Sequence, residues 1–111
     1  MGAFFELADL ATLDNLRFFD VAVGGKVIDV LQGDGTLIDQ KTQINLDLRD
    51  PARPVLSSSV TNQLTAMRGA IGTVIEGITI TSCRFHVEGG VSADVQAVLV
   101  RDGLVPFFMA R

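Results

Sequence analysis

The sequence predicts an α+β fold, in which one main helix packs on a mixed or antiparallel sheet of five to six strands. The sheet is expected to be either open or curved toward a barrel. Several segments alternate apolar with polar residues, which is typical of strands. Glycine pairs and a Gly-Asp-Gly triplet separate these segments, as expected for tight turns. One segment, about 59–71, instead spaces its apolar residues by three and four, the period of a helix.

The chain has 111 residues, a length that predicts a single domain, residues 1–111. Its apolar fraction of 48% and mean hydropathy of +0.38 are high for a domain that buries one small core. No run of 18 apolar residues is present to span a membrane. The N-terminus lacks a basic segment followed by an apolar run, so we do not expect it to be a signal peptide. We therefore expect a soluble protein, cytoplasmic or in an assembled particle, that covers its apolar surplus with a second copy of itself.

Residues 4–14 predict a short N-terminal helix, because Phe4, Leu7 and Ala11 fall at helical spacing. Asp14-Asn15 then breaks the pattern.

Residues 16–48 predict a β-meander. A first strand ends at Gly24-Gly25, where both residues tolerate positive φ and so favour a hairpin. A return strand follows over Lys26–Gln32 and leads to a Gly-Asp-Gly turn. Residues 42–48 alternate cleanly, which predicts a half-buried strand.

Residues 49–56 predict a stiff connector, because each proline fixes its own φ and extends the residue before it. The main helix, 59–71, follows a serine run suited to an N-cap. It is expected to place Leu64 and Met67 against the sheet, and Gly69 and Gly72 are expected to end it.

Residues 74–101 predict a second β-hairpin that turns at Gly89-Gly90, with strands on both sides of the turn. The apolar face changes partway along the first of these strands, so we expect a bulge near Ser82 or burial on both faces. Residues 104–109 predict a last strand, which Pro106 confines to a sheet edge or makes irregular.

The only cysteine and the only histidine lie three residues apart on one predicted strand. Their side chains therefore point to opposite faces, so a Cys-His dyad is not expected. Cys83 shares its face with Phe85 and Val87 and is expected to be a buried, inert thiol. His86 shares its face with Arg84 and is expected on the surface. We predict no catalytic residue, no metal site and no cofactor.

Asp34 stands between two glycines, where an aspartate is a favoured turn residue as well as a potential cation ligand. The turn explanation is preferred, because the spacing of an EF-hand loop is absent. Were the protein an enzyme, with its site at a subunit interface, the residues to consider would be His86, Arg84 and Asp34.

The tetrad Gly69-Ala70-Ile71-Gly72 is similar to the GXXG loop of KH domains, which clamps a nucleic-acid backbone. It holds no basic residue itself, although Arg68 is adjacent, and a helix ending in small residues explains the same letters. The net charge of −4 also disfavours binding to a polyanion. We therefore predict no nucleic-acid partner.

Six of the seven phenylalanines come as adjacent pairs. Neighbours on a strand point to opposite faces, so each pair is expected to put one ring into the core and one outward. We assign Phe19 inward, in phase with Val21 and Val23, and Phe18 outward. The residues predicted for an interface are Phe4, Phe5, Phe18, Phe107 and Phe108.

These observations favour a non-enzymatic, homo-oligomeric structural or assembly subunit, for example of a phage or other protein particle. Charge adds to this: residues 1–50 carry nine acidic and four basic side chains, and residues 51–111 carry four acidic and five basic ones. Such an uneven charge distribution suits head-to-tail stacking of copies, although a chance distribution of the charged residues explains it too. The alternative is a small-ligand-binding or regulatory domain with a pocket between helix 59–71 and the sheet.

Overall fold

The computed structural model describes residues 17–111. Along this part of the chain, short strands alternate with two α-helices. A 3₁₀ turn, Val105–Phe107, precedes the last strand. In chain order the elements are β1 (Arg17–Val23), β2 (Lys26–Gln32), β3 (Thr36–Lys41), β4 (Leu46–Asp47), β5 (Val55–Leu56), α1 (Ser58–Gly69), β6 (Val74–Ile75), β7 (Ile78–Thr79), β8 (Ser82–Val87), α2 (Ala93–Asp102) and β9 (Phe108–Ala110).

Five strands form one mixed sheet in the order β1-β2-β3-β8-β9. The first three strands pair antiparallel, whereas β8 runs parallel to β3 and β9 runs parallel to β8. Parallel neighbours need a crossover connection, and helices α1 and α2 lie within the two crossovers. Two small antiparallel pairs, β4-β5 and β6-β7, stand outside this sheet. The predicted α+β class with a mixed five-stranded sheet is confirmed, and the sheet is open rather than a barrel.

The main helix is confirmed as α1, Ser58–Gly69. It buries Val60, Leu64 and Met67, which are spaced by four and three residues, as predicted. Ile71 lies beyond the end of the helix and is 43% exposed, so the helix is shorter than its apolar pattern. The predicted helix 4–14 lies outside the described residues.

The predicted strand at 91–101 is wrong, because this segment is the helix α2. Its buried residues, Val95, Val98 and Leu99, follow helical spacing. The Ser92 hydroxyl caps the helix by accepting a hydrogen bond from the Val95 amide at 3.3 Å. Gly103 ends it with a φ of 69°. Gly89-Gly90 therefore joins a strand to a helix and is not a hairpin turn.

The predicted strand at 42–48 is also largely absent, since only Leu46–Asp47 is extended and paired. The edge of β3 that a further strand would need is occupied by β8, so the chain leaves the sheet after Lys41. The expected change of face near Ser82 occurs as a break between β7 and β8, which lets Ile80 and Cys83 both be buried. The last strand is the edge strand β9, and Pro106 lies before it in the 3₁₀ turn.

Both helices pack on the same face of the sheet and share one core with it. Cys83, Phe85 and Val87 on β8 are each at most 4% exposed within this core, which confirms the buried thiol. None of the described helices is long and apolar enough to cross a membrane. Neither α1 nor α2 packs on the other face of the sheet, where the side chains of Phe19, Arg84 and His86 lie.

Candidate functional site: the open face of the sheet

The face of the sheet that α1 and α2 leave uncovered is here called the open face. Residues directly paired on neighbouring strands point to the same side of a sheet. Phe19 pairs with Val30, Val30 with Ile38, and Ile38 with Arg84, so one row of the open face crosses four strands. His86 lies on the same face, two residues beyond Arg84.

Phe19 is the most exposed large apolar side chain among the described residues, with 68% of its surface accessible. The predicted orientation of the pair is therefore wrong: Phe18 packs against the core and Phe19 points outward. The reason is Asp20, whose φ of 55° interrupts the alternation of β1. Phe19 and Asp20 are both exposed in succession, after which Val21 resumes the buried phase.

Other apolar side chains lie on the open face, at its centre and at both edges. Val30 and Ile38 are 8% and 3% exposed, yet neither belongs to the core that the helices cover. Met109, which pairs with His86, is 46% exposed. Val27 pairs with an exposed alanine on β1 and is 61% exposed. The apolar residues at the centre of the open face are thus buried, and the exposed ones lie at its edges, Phe19 and Val27 on one side and Met109 on the other.

Basic side chains accompany these apolar residues. The Arg84 Nε donates a hydrogen bond to the His86 Nε2 at 2.8 Å, so this nitrogen acts as an acceptor and the ring is neutral in this arrangement. Burial lowers the pKa of His86, and the charges of Arg84 and Arg111 lower it further. His86 therefore stays uncharged near neutral pH, and the positive charge of this face comes from arginines.

The three residues proposed for an enzyme are not brought together. Arg84 and His86 are in contact on the open face. Asp34 lies in the β2–β3 turn, where its carboxylate accepts a hydrogen bond from the Thr36 amide at 3.0 Å. This is the turn role that its position between glycines indicates. Proton transfer by a His-Asp pair at this place is therefore not supported.

A polar cavity of about 690 Å³ opens where the parallel strands β3, β8 and β9 end. Charged groups of both signs surround it, so it suits a small polar molecule better than an apolar one. Lys41 is already engaged by the Asp39 carboxylate at 3.2 Å. The described residues lining the cavity are Asp29, Gln40, Lys41, Thr42, His86, Glu88 and Arg111.

A second cavity, of about 530 Å³, separates α1 from the β1–β2 turn. At one side of this cavity the β1–β2 turn contacts α1 closely, because both residues at the contact are small. A Cβ added to Gly24 would lie 3.2 Å from the Ala66 Cβ. Ile75 and Val23 add apolar surface to the lining. This is the place where a pocket between the main helix and the sheet is expected from the sequence.

A smaller groove, of about 300 Å³, lies beside α2 on the helical side of the sheet. Leu48 is 58% exposed and forms one wall. This α2 groove is not predicted from the sequence, because the segment that builds it appears strand-like. Its lining residues are Leu46, Leu48, Pro54, Asp94, Ala97, Val98 and Arg101.

The other predicted interface residues are distributed differently. Phe108 is 8% exposed and stacks on Phe85 with ring centroids 5.0 Å apart, so most of its surface is used within the chain. Phe107 packs partly against the core, and the Arg68 guanidinium lies 4.8 Å from its ring centroid. Phe4 and Phe5 lie outside the described residues.

No protein-family model, curated protein or solved structure matches this chain. The functional argument therefore depends on its own geometry.

Proposed function

We propose that the chain is a non-enzymatic, homo-oligomeric structural or assembly subunit, and that its open face contacts a neighbouring copy. The observation that carries the proposal is Phe19, a ring 68% exposed on a sheet face that neither described helix covers. The proposed setting is a phage or other protein particle within a reducing compartment, where the single cysteine stays reduced.

The energetic argument is the cost of leaving this surface in water. Full burial of a Phe or Met side chain stabilises a structure by roughly 1.5–3 kcal/mol relative to exposure. Phe19, Val27 and Met109 together leave large apolar areas accessible on one face. A neighbouring subunit that covers this face would gain this free energy, which supports assembly over a monomeric state.

The charged residues of the open face agree with an interface. Arginine and aromatic side chains are enriched in protein interfaces, whereas lysine is depleted. The face combines Phe19 with Arg84, and Arg111 lines the cavity at the strand ends beside His86. Because Asp20 is exposed beside Phe19, and Asp29 and Glu88 line the same cavity as Arg111, a partner needs charges of both signs around an apolar surface.

The experiment compares two serine variants by sedimentation velocity and circular dichroism. Phe19→Ser removes the exposed ring of the open face, and we expect the assembled mass to fall while the folded spectrum is retained. Val74→Ser is the matched control, since Val74 is 65% exposed on the β6–β7 hairpin, away from that face. Equal masses for both variants and the unmodified protein would overturn the proposal.

A ligand-binding or regulatory domain is the second candidate, and the cavity of about 530 Å³ between α1 and the β1–β2 turn favours it. A bound compound would raise the melting temperature in proportion to its occupancy. Gly69→Leu would fill part of the cavity, because a Cβ at Gly69 would meet no atom within 4 Å. A compound whose stabilising effect is abolished by this variant would support the second candidate, and a library without any stabilising compound would count against it.

A further inference from the structure

We propose that segment 1–16 of the same chain covers the centre of the open face, where Val30 and Ile38 lie. This segment directly precedes β1, the strand at one edge of the sheet. The inference goes beyond the proposed function, because it concerns the centre of the face. Phe19, at the edge of the face, is left for the neighbouring copy.

Val30 and Ile38 are buried although they lie on the face that both described helices leave uncovered. They are 8% and 3% exposed, and neither belongs to the core beneath α1 and α2. The small strand pairs β4-β5 and β6-β7 also contribute to that core, on the other face. Phe19, the partner of Val30 on β1, keeps 68% of its own surface accessible, so its ring provides little cover. An apolar sheet face is buried by a second layer, and the chain that precedes β1 is the source of such a layer within the same molecule.

The length and position of segment 1–16 suit this role. Its apolar spacing predicts a helix over residues 4–14, and a helix of that length extends about 16 Å. Three strand spacings, about 14 Å in all, separate β1 from β8. Residues 15–16 form the connection, which has the length of a common helix-to-strand loop. The predicted helix is therefore long enough to extend from the edge of the sheet across its centre.

The predicted helix has one side that matches the apolar centre of the sheet. Phe4, Leu7 and Ala11 recur at helical spacing and so share a side. Leu13 is out of phase with them and falls on a different side of the helix. A helix of this kind packs its apolar side on a core and turns its polar side to water.

The charges of the segment and of this part of the face have opposite signs. Residues 1–16 include three acidic side chains and no lysine or arginine. A cavity of about 390 Å³ remains over Val30 and Ile38, with Arg17 and Arg111 in its walls. None of the described residues that line this cavity is acidic. Arginines and an apolar floor thus share one cavity, which suits an acidic, amphipathic occupant.

The test measures how fast a thiol at the centre of the open face reacts with iodoacetamide in native buffer. Ile38→Cys should react slowly while the segment covers it. Adding Leu7→Ser removes an apolar contact of the segment, and we expect the rate to rise roughly tenfold or more, since access controls thiol reactivity. Leu13→Ser is the matched control and should leave the rate unchanged, because Leu13 is on another side of the helix. Peptide mass spectrometry reports Cys83 in the same samples, and its slow reaction shows that the core stays folded.

Three outcomes would overturn the proposal. An unchanged rate in the Leu7→Ser variant would mean that the side chains of the sheet bury its centre without the segment. Equal increases for Leu7→Ser and Leu13→Ser would exclude the predicted helical side. A rate for Ile38→Cys that rises on dilution would assign the cover to a neighbouring copy instead of the same chain. Val30→Cys replaces Ile38→Cys if the latter loses its folded circular dichroism spectrum.

Discussion

Asp29 and Asp39 each supply a carboxylate to the backbone of the opposite strand. The Asp39 Oδ1 accepts a hydrogen bond from the Asp29 amide at 3.1 Å, and the Asp29 Oδ2 accepts one from the Gln40 amide at 2.8 Å. The register of β2 and β3 places the two aspartates opposite each other, one residue beyond Val30 and Ile38. Side chains therefore replace backbone acceptors where the ladder is interrupted.

Replacing Asp39 with alanine is expected to destabilise the fold by roughly 1–3 kcal/mol, since it leaves the partly buried Asp29 amide and Gln63 side chain without their acceptor. Asp39 is 3% exposed, and its Oδ2 also accepts a hydrogen bond from the Gln63 side chain at 2.9 Å. Urea denaturation measures the loss. Asp39→Asn, which keeps an acceptor, should lose less; an equal loss in the two variants would mean that the hydrogen bonds do not explain the effect.

The same residue predicts a pH dependence. Burial raises the pKa of Asp39 above its usual value, and it outweighs the opposing effect of Lys41. The folded state then binds a proton on Asp39 more readily than the unfolded state does. The stability that Asp39 contributes is therefore fully present below the pKa of the unfolded state, and it is lost as the pH rises through the raised pKa of the folded state.

Urea midpoints of the unmodified protein and of Asp39→Asn, measured between pH 3 and 7, test this. The advantage of the unmodified protein over the variant should shrink as the pH increases. Asp47 and Asp102 have pKa values lowered by neighbouring arginines, which gives the opposite trend, but both are present in the two proteins and cancel in the difference. A difference that grows with pH would contradict the assignment.

Gly35 is expected to tolerate no side chain. Its φ is +92°, and a Cβ there would overlap the Thr79 carbonyl oxygen. Gly25 has a similar φ of +83° but no atom near its Cβ position, so Gly25→Ala isolates the backbone strain of about 1–2 kcal/mol. Gly35→Ala should lose clearly more in thermal or urea unfolding. Equal losses would show that the turn does not pack closely on the loop after β7.

The Cys83 thiol is expected to react slowly with a thiol reagent in native buffer. It is 4% exposed, and burial raises its pKa against the weaker opposing charge of Arg68. Little thiolate is therefore available, and access is restricted. The same protein in urea provides the control and should react rapidly. Fast modification of the folded protein would indicate that β8 opens readily to solvent.

Elements that depend on local signals could be predicted from the sequence. Helix α1 follows from the spacing of Val60, Leu64 and Met67, and the β1–β2 hairpin follows from two glycines that take positive φ. Helix α2 is not predicted, although its caps, Ser92 and Gly103, are present in the sequence. Its valines also fit a strand, so the apolar pattern alone did not separate the two structures.

The candidate site was harder to predict, because it depends on one backbone angle. A strict alternation along β1 places Phe19 with Val21, but the positive φ of Asp20 reverses the phase between them. Aspartate adopts a positive φ more often than most residues, but the sequence does not indicate which of its aspartates does so. The open face and its exposed ring therefore become visible only in the fold.

Sedimentation equilibrium of the unmodified chain, over a range of micromolar concentrations, tests the central claim most directly. The proposal that a second copy covers Phe19 predicts a mass above that of the single chain, and this mass should rise with concentration. A single-chain mass at every concentration would contradict it.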